Sequence, residues 1–232
     1  DEVGSRGLGD VYKRQVDTGH AEVSIIKTEQ SDNAGIVNLG IKMDMQAGWH
    51  TYWINPGDSG GAIDIEWTLP KGNTASEVSY PAPHKIPYPP LMTFGYEDHV
   101  VFPVTLSVSN LDQDIPITAK IDFLICADVC IPETALIQTS LNTIDSNNEL
   151  DEWMDKVPSV VLPNIASING NNLELRFSFN EIIKDIYFFP IDENIFIYNS
   201  DQEFVKEENN WLLKIPLIGD APNNVDGILV IN

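Results

Sequence analysis

Alternation of apolar and polar side chains is the dominant signal along this chain. From Ile36 to Met45 the apolar Val37, Leu39, Ile41, Met43 and Met45 interleave with Asn38, Gly40, Lys42 and Asp44. A period of two puts the first set on one face of a half-buried strand. Residues 62–67 (Ala-Ile-Asp-Ile-Glu-Trp) alternate similarly, and residues 100–108, 115–125 and 135–141 read as three further strands. Short strands broken by Gly, Pro, Asp and Asn turns predict an antiparallel sandwich. Five prolines lie within residues 80–90. They remove ladder donors, so this stretch reads as a stiff, extended surface loop and not as a central strand.

The best helix candidate is residues 146–157, with Ser146 or Asn147 as its cap and Pro158 ending it. It is short and acidic, as a connector between domains would be. Beyond it, residues 172–179, 185–190, 195–198, 211–216 and 227–231 supply strands for a second, smaller β domain. The predicted fold class is all-β: two immunoglobulin-like antiparallel β-sandwich domains in tandem, joined by a short helix. The expected boundaries are 16–145, 146–157 and 158–232. Residues 1–15 are set aside, because Asp10-Val-Tyr-Lys-Arg-Gln15 resembles the in-frame translation of a sequencing-library adapter. An export signal is expected to be missing with the natural start. The apolar run Ile228-Leu-Val-Ile231 at the other end reads as a truncation boundary.

Charge narrows the function classes. The chain of 232 residues holds 13 Lys and Arg against 35 Asp and Glu, a net charge of -22. Nucleic acid and anionic membrane surfaces both call for a basic face, so neither is an expected partner. No run of 18 apolar residues occurs, so no membrane-spanning helix is expected within the chain.

The chemistry concentrates in the only two cysteines, Cys126 and Cys130. A bridge between residues so close closes a tiny loop and stabilises the fold little. In a straight strand residues i and i+4 sit roughly 13 Å apart, whereas a disulfide needs Cα atoms within about 7 Å. The chain must therefore turn at Ala127-Asp128-Val129, or be helical, for the sulfurs to meet. Three readings remain open on the residues alone. The pair is a buried reduced couple, a zinc or copper(I) site completed by His50, His84 or His99, or a redox dithiol. Asp128 between the thiols would raise their pKa if close, which argues against a strongly activated nucleophile. A relay disulfide can instead be attacked by its partner's thiolate.

Two further segments draw notice. In Gly48-Trp-His-Thr-Tyr-Trp-Ile-Asn-Pro-Gly-Asp-Ser-Gly60 the residues His50 and Tyr52 share a face of an extended strand, opposite Trp49 and Trp53. The tryptophans read as core; His50 and Tyr52 are the better site candidates. In Pro90-Leu-Met-Thr-Phe-Gly-Tyr-Glu-Asp98, Phe94 next to Gly95 reads as a loop residue able to cover a disulfide. Met43 and Met45 read as core and not as copper ligands. No phosphate loop, Gly-x-Ser-x-Gly or His-Glu-x-x-His motif occurs.

These two segments, with Phe102-Pro-Val104 and Leu124-Ile-Cys-Ala-Asp-Val-Cys-Ile-Pro-Glu133, resemble the N-terminal periplasmic region of DsbD-type thiol:disulfide interchange proteins, most closely the ScsB-like branch. The resemblance is strong over residues 20–143 and weaker over 150–232. It implies an immunoglobulin-like module of a protein-disulfide reductase, periplasmic and part of an inner-membrane protein whose membrane core follows. Its cysteine pair would take electrons from a thioredoxin-like domain and give them to oxidised periplasmic thioredoxin-fold proteins, in settings such as cytochrome c biogenesis or copper tolerance. Cys126 and Cys130 match the redox pair, and Phe94 with Gly95 matches the lid loop. His50 and Tyr52 stand where better-studied members have two tyrosines. No cofactor beyond the two sulfurs is implied. The competing expectation is a copper- or zinc-binding periplasmic module without enzymatic activity.

Overall fold

The computed structural model describes residues 13–29, 35–161, 164–208, 210–219 and 224–232, with the side chains of 164 and 165 left aside. The strands that open the chain are β1 (Gln15–Asp17), β2 (Ala21–Lys27), β3 (Ile36–Met45), β4 (His50–Gly57), β5 (Asp64–Thr68) and β6 (Thr74–Ala75). They are followed by β7 (His84–Tyr88), β8 (Leu91–Glu97), β9 (His99–Ser107), β10 (Pro116–Cys126) and β11 (Cys130–Ser140). Helix α1 (Glu149–Met154) precedes β12 (Asn164–Asn169), β13 (Asn172–Phe177), β14 (Ile186–Pro190), β15 (Glu203–Glu207), β16 (Asn210–Pro216) and β17 (Gly227–Ile231). The molecule is nearly all-β, built of antiparallel sheets.

The chain divides into two compact units. The first comprises the N-terminal segment through Thr51, Ile63–Pro81 and Glu97–Val157; the second comprises Tyr52–Ala62, Ala82–Tyr96 and Pro158–Asn232. The first unit holds one sheet in the order β1-β2-β3-β9-β6. It also holds the β10–β11 hairpin, with β5 paired to β10 and the first residue of β4 paired to its end. The alternation seen in β3 is the reason for its place: Val37, Leu39, Ile41, Met43 and Met45 are all buried. They lie on the register opposite Leu106, Val104, Phe102, Val100 and, on β2, Ala21. From β10, Ile117, Ala119, Ile121, Phe123 and Ile125 are buried as well.

Helix α1 is shorter than predicted. Its N-cap is Asn148, with no side-chain cap bond, and not Ser146 or Asn147; the Asn147 carboxamide oxygen instead accepts the Glu149 backbone N–H at 2.9 Å. The helix is more than a connector, since Leu150 and Trp153 are buried in the first unit. A Cβ added at Gly40 would come within 2.8 Å of Leu150 Cδ1 and 2.5 Å of Val101 Cγ1. A bare Cα in β3 thus makes room for the helix. Glu149 accepts from Lys42 Nζ at 3.0 Å and meets His99 Nε2, whose Nδ1 lies 2.7 Å from Asp44.

Three expectations need correction. The boundary drawn at 146–157 leaves residues 52–62 and 82–96 in the first domain, whereas they belong to the compact unit of the C-terminal strands. Within residues 80–90 the structure has an edge strand, β7, paired to β8 from His84↔Gly95 to Tyr88↔Leu91. Proline is tolerated there because one side of an edge strand needs no ladder donor. At the N-terminus residues 1–12 lie outside the described residues. Gln15 already belongs to β1, and Arg14 pairs with Asp145 at 3.0 Å, so the excluded segment reaches into the fold.

In the second unit, β4, β8 and β7 lie side by side, β12-β13-β16-β15 form a four-stranded sheet, and β14 pairs with β17. Its core is aromatic. The Phe94 ring meets Phe189, Tyr198 and Tyr187 edge-on at 5.0, 5.1 and 5.9 Å between centroids. Trp53 meets Phe189 at 6.2 Å. The buried Asn55 donates to the carbonyls of Pro190 and Asp192 at 2.8 and 3.1 Å, and its own oxygen accepts Gly57 N–H. These bonds tie β4 to the strands beyond residue 158 within one core.

Candidate functional site

The two cysteines end facing strands. β10 and β11 pair without interruption from Pro116↔Ser140 to Cys126↔Cys130. The register follows from burial, because the apolar face of β10 meets Ile137 and Ala135 of β11 on the same side of the sheet. Residues 127–129 make the turn that the sequence demanded, with Ala127 N–H donating to the Val129 carbonyl at 3.1 Å. Directly opposed residues in an antiparallel pair have Cα atoms about 4.5–5.5 Å apart, and here the separation is 4.1 Å. A disulfide joins Cys126 to Cys130.

The hairpin treats its cysteines differently. Cys126, at the end of a central strand, is 1% exposed. Cys130, the first residue of the edge strand β11, is exposed, as are Asp128 and Val129 beside it. An incoming thiolate reaches an S–S bond along its axis and expels the far sulfur. The exposed side of this bond is Cys130.

His50 entered the sequence reading as a site candidate with no position fixed relative to the cysteines. It pairs with Cys126 across β4 and β10, so the two side chains lie on one face of the sheet. Burial holds its imidazole below the ordinary value against the opposing charge of Glu97. The neutral ring therefore predominates at pH 7. Thr51, a residue the sequence reading passed over, fixes this junction: its hydroxyl donates to the Leu124 carbonyl at 3.0 Å. Its signal was its place between two candidates. Glu97 was equally visible, three residues past Phe94.

On the other face of β11 Glu133 is buried and paired to His20 Nδ1 at 2.5 Å, with the Thr18 hydroxyl also on its carboxylate. Trp49 stacks on His20, ring centroids 4.0 Å apart. This is packing under the hairpin; Trp49, expected in the core, is only half-buried.

Tyr52, Phe94 and Gly95 lie in the second unit. Tyr52 is 1% exposed, and burial pushes its hydroxyl up to about 12. Gly60, at φ +119°, leaves space for the Tyr52 ring, which a Cβ would meet at 2.3 Å. Phe94 and Gly95 lie inside strand β8 and are buried, not on a loop. The reading of Phe94 as a loop residue is corrected by its aromatic packing. The histidines offered for a metal are dispersed in role: His99 is engaged by Asp44 and Glu149, and His84 belongs to β7 of the second unit. Among the described residues no three His, Cys, Asp or Glu side chains gather so as to hold a metal ion. Among them, too, no helix is long and apolar enough to cross a membrane.

The crystal structure of the N-terminal periplasmic domain of ScsB from Proteus mirabilis is similar to this chain, with a TM-score of 0.70 and 19% identity over 94% of this chain and 92% of that one. At that identity the likeness shows a shared fold. No curated protein matches. Residues 21–142, which hold the cysteine hairpin and parts of both units, match the family model described as thiol:disulfide interchange protein DsbD, N-terminal. The chain belongs to that family, as an immunoglobulin-like thiol:disulfide interchange module.

Proposed function

We propose that this chain is the periplasmic relay module of a membrane-bound protein-disulfide reductase, passing two electrons at a time through Cys126 and Cys130. The observation that carries the reading is the hairpin-end disulfide with one exposed and one buried cysteine. A thiolate of the donor, a thioredoxin-like domain, attacks Cys130 Sγ, forming a mixed disulfide and releasing Cys126 as thiolate. The donor's second thiol then attacks its own sulfur in that mixed bond. The donor leaves as a disulfide and the module holds two thiols. In delivery the Cys130 thiolate attacks an oxidised thioredoxin-fold acceptor, and Cys126 resolves the mixed bond, restoring the starting state. Two electrons and two protons move in each half, with no further cofactor.

His50, neutral and on the face of Cys126, serves as the proton partner of the buried thiol. Tyr52 shapes the adjoining strand. The test is a trap. In Cys126→Ser the resolving thiol is gone, so Cys130 should accumulate a mixed disulfide with an oxidised thioredoxin-fold protein, seen by mass as a covalent one-to-one adduct. Equal trapping by Cys130→Ser, or none by either variant, contradicts the assignment.

A further inference from the structure

Among the described residues of the first unit, the exposed large hydrophobic side chains are Val129 and Leu136, and both belong to the cysteine hairpin. Side chains of a strand alternate, so Cys130, Pro132, Thr134 and Leu136 share one face of β11. The register continues that face sideways. Pro132 lies opposite Leu124, Thr134 opposite Asp122, and Leu136 opposite Lys120. On the far side of β10, Asp122 lies opposite Asp64 and Lys120 opposite Glu66. Asp64, Glu66, Pro132 and Thr134 are exposed. The face thus reads, in rows running away from the reactive sulfur, as apolar (Leu124, Pro132), then acidic (Asp122, Asp64), then mixed (Leu136, Lys120, Glu66). At about 3.3 Å per residue the acidic row lies roughly 13 Å from Cys130 and the last row roughly 20 Å. Three carboxylates stand here against one ammonium, and that ammonium is engaged by Asp122 at 2.5 Å.

We propose that this face of β5, β10 and β11 is the docking surface for the exchange partner, and that the partner lays against it a segment carrying an apolar side chain beside its cysteine and basic side chains roughly 13 to 20 Å from it. The inference rests on the relay reading of Cys130 and adds the chemical class of what is recognised. Charge complementarity argues for the basic segment, since a cation over Asp64, Asp122 and Glu66 gains both attraction and faster encounter. The apolar rim of Val129, Leu124 and Pro132 would exclude water where the sulfurs meet. The exchange is balanced: the segment's thiolate bonds to Cys130 Sγ, the S–S bond breaks, and Cys126 leaves as thiolate.

Two synthetic peptides test this. In both, alternate residues starting at a terminal cysteine face one way; one peptide carries leucine, lysine and lysine at those positions, the other leucine, glutamate and glutamate. The rate at which each opens the disulfide of the full chain is measured, with dithiothreitol as a neutral small reductant. The lysine peptide should react about tenfold faster at low salt, and the ratio should shrink severalfold near 0.5 M salt. The double variant D64N/E66Q should lower that ratio severalfold. D151N/E152Q, which removes two exposed carboxylates from α1, should leave it unchanged. V129S/L136S should slow both peptides and spare dithiothreitol. Equal rates for the two peptides overturn the proposal. So does an equal effect of the two carboxylate variants, because the general acidity of the chain would then suffice. Failure of dithiothreitol to open the disulfide in the folded protein is a different failure, which removes the relay reading and the docking surface with it.

Discussion

At the scale of single residues, the site is an exercise in unequal burial. Two cysteines equivalent in sequence differ in burial because one ends a central strand and the other begins an edge strand. His50 gains its place from a cross-strand pairing and its neutrality from desolvation. That shift has a thermodynamic consequence with a definite sign. The folded-state value of His50 is lowered below its ordinary 6.5, so between the two values the unfolded chain binds more protons. Stability from this group is whole above 6.5 and is lost as pH falls through that value towards the folded one. The thermal midpoint should therefore drop between pH 7 and pH 5, and His50→Gln should flatten that part of the curve. An unchanged slope would remove the desolvated imidazole as a contributor. Phe94 obeys a different logic. Its ring is fully buried among Tyr187, Phe189 and Tyr198, so Phe94→Ala should cost roughly 3–5 kcal/mol by denaturant unfolding. The loop position read from its Gly neighbour implied almost no cost.

At the scale of elements, the strands that betray themselves in the sequence are those with one wet and one dry face. β3 is the clearest, because every second residue is buried and the boundary residues are turn formers. β4 hides behind Pro56, Gly57 and an aromatic cluster, although Thr51, Tyr52 and Trp53 are all buried. It is covered on both sides, and a strand covered on both sides loses its period of two. β7 was hidden by its prolines, which an edge tolerates. The turn at residues 127–129 was legible, since a Cα limit left few alternatives. The exposure of Cys130 and the pairing of His50 with Cys126 were not, because register between distant strands is written in tertiary packing and not in local pattern. The seat of α1 gives a test at this scale. Gly40 is open only because Leu150 and Val101 occupy the space of its missing side chain. Gly40→Ala should destabilise the first unit by roughly 1–3 kcal/mol and raise hydrogen exchange along α1. A stability-neutral outcome would mean that the helix does not pack as described.

At the scale of the whole molecule, the decisive feature is that linear order and compact units disagree. The second unit takes Tyr52–Ala62 and Ala82–Tyr96 from the middle of the N-terminal half. A cut at residue 145 therefore strands Trp53, Asn55 and Phe94 without the core they belong to. The sequence-based boundary predicted that residues 16–145 would fold alone. The structure predicts that this fragment aggregates or binds a hydrophobic dye, while the full chain does not; a monomeric fragment with a cooperative unfolding transition would restore the simpler boundary.

The central claim is that the Cys126–Cys130 bridge exists to exchange electrons and not to hold the fold. Equilibrating the full chain in graded glutathione or dithiothreitol buffers, alkylating the free thiols and reading the mass distribution yields its midpoint potential. Exchange-active pairs poise at roughly -120 to -270 mV, whereas structural disulfides of secreted proteins fall below about -300 mV. The midpoint should fall within the first range, reached with the protein still folded. A midpoint below about -300 mV, or reduction only after unfolding, would contradict it.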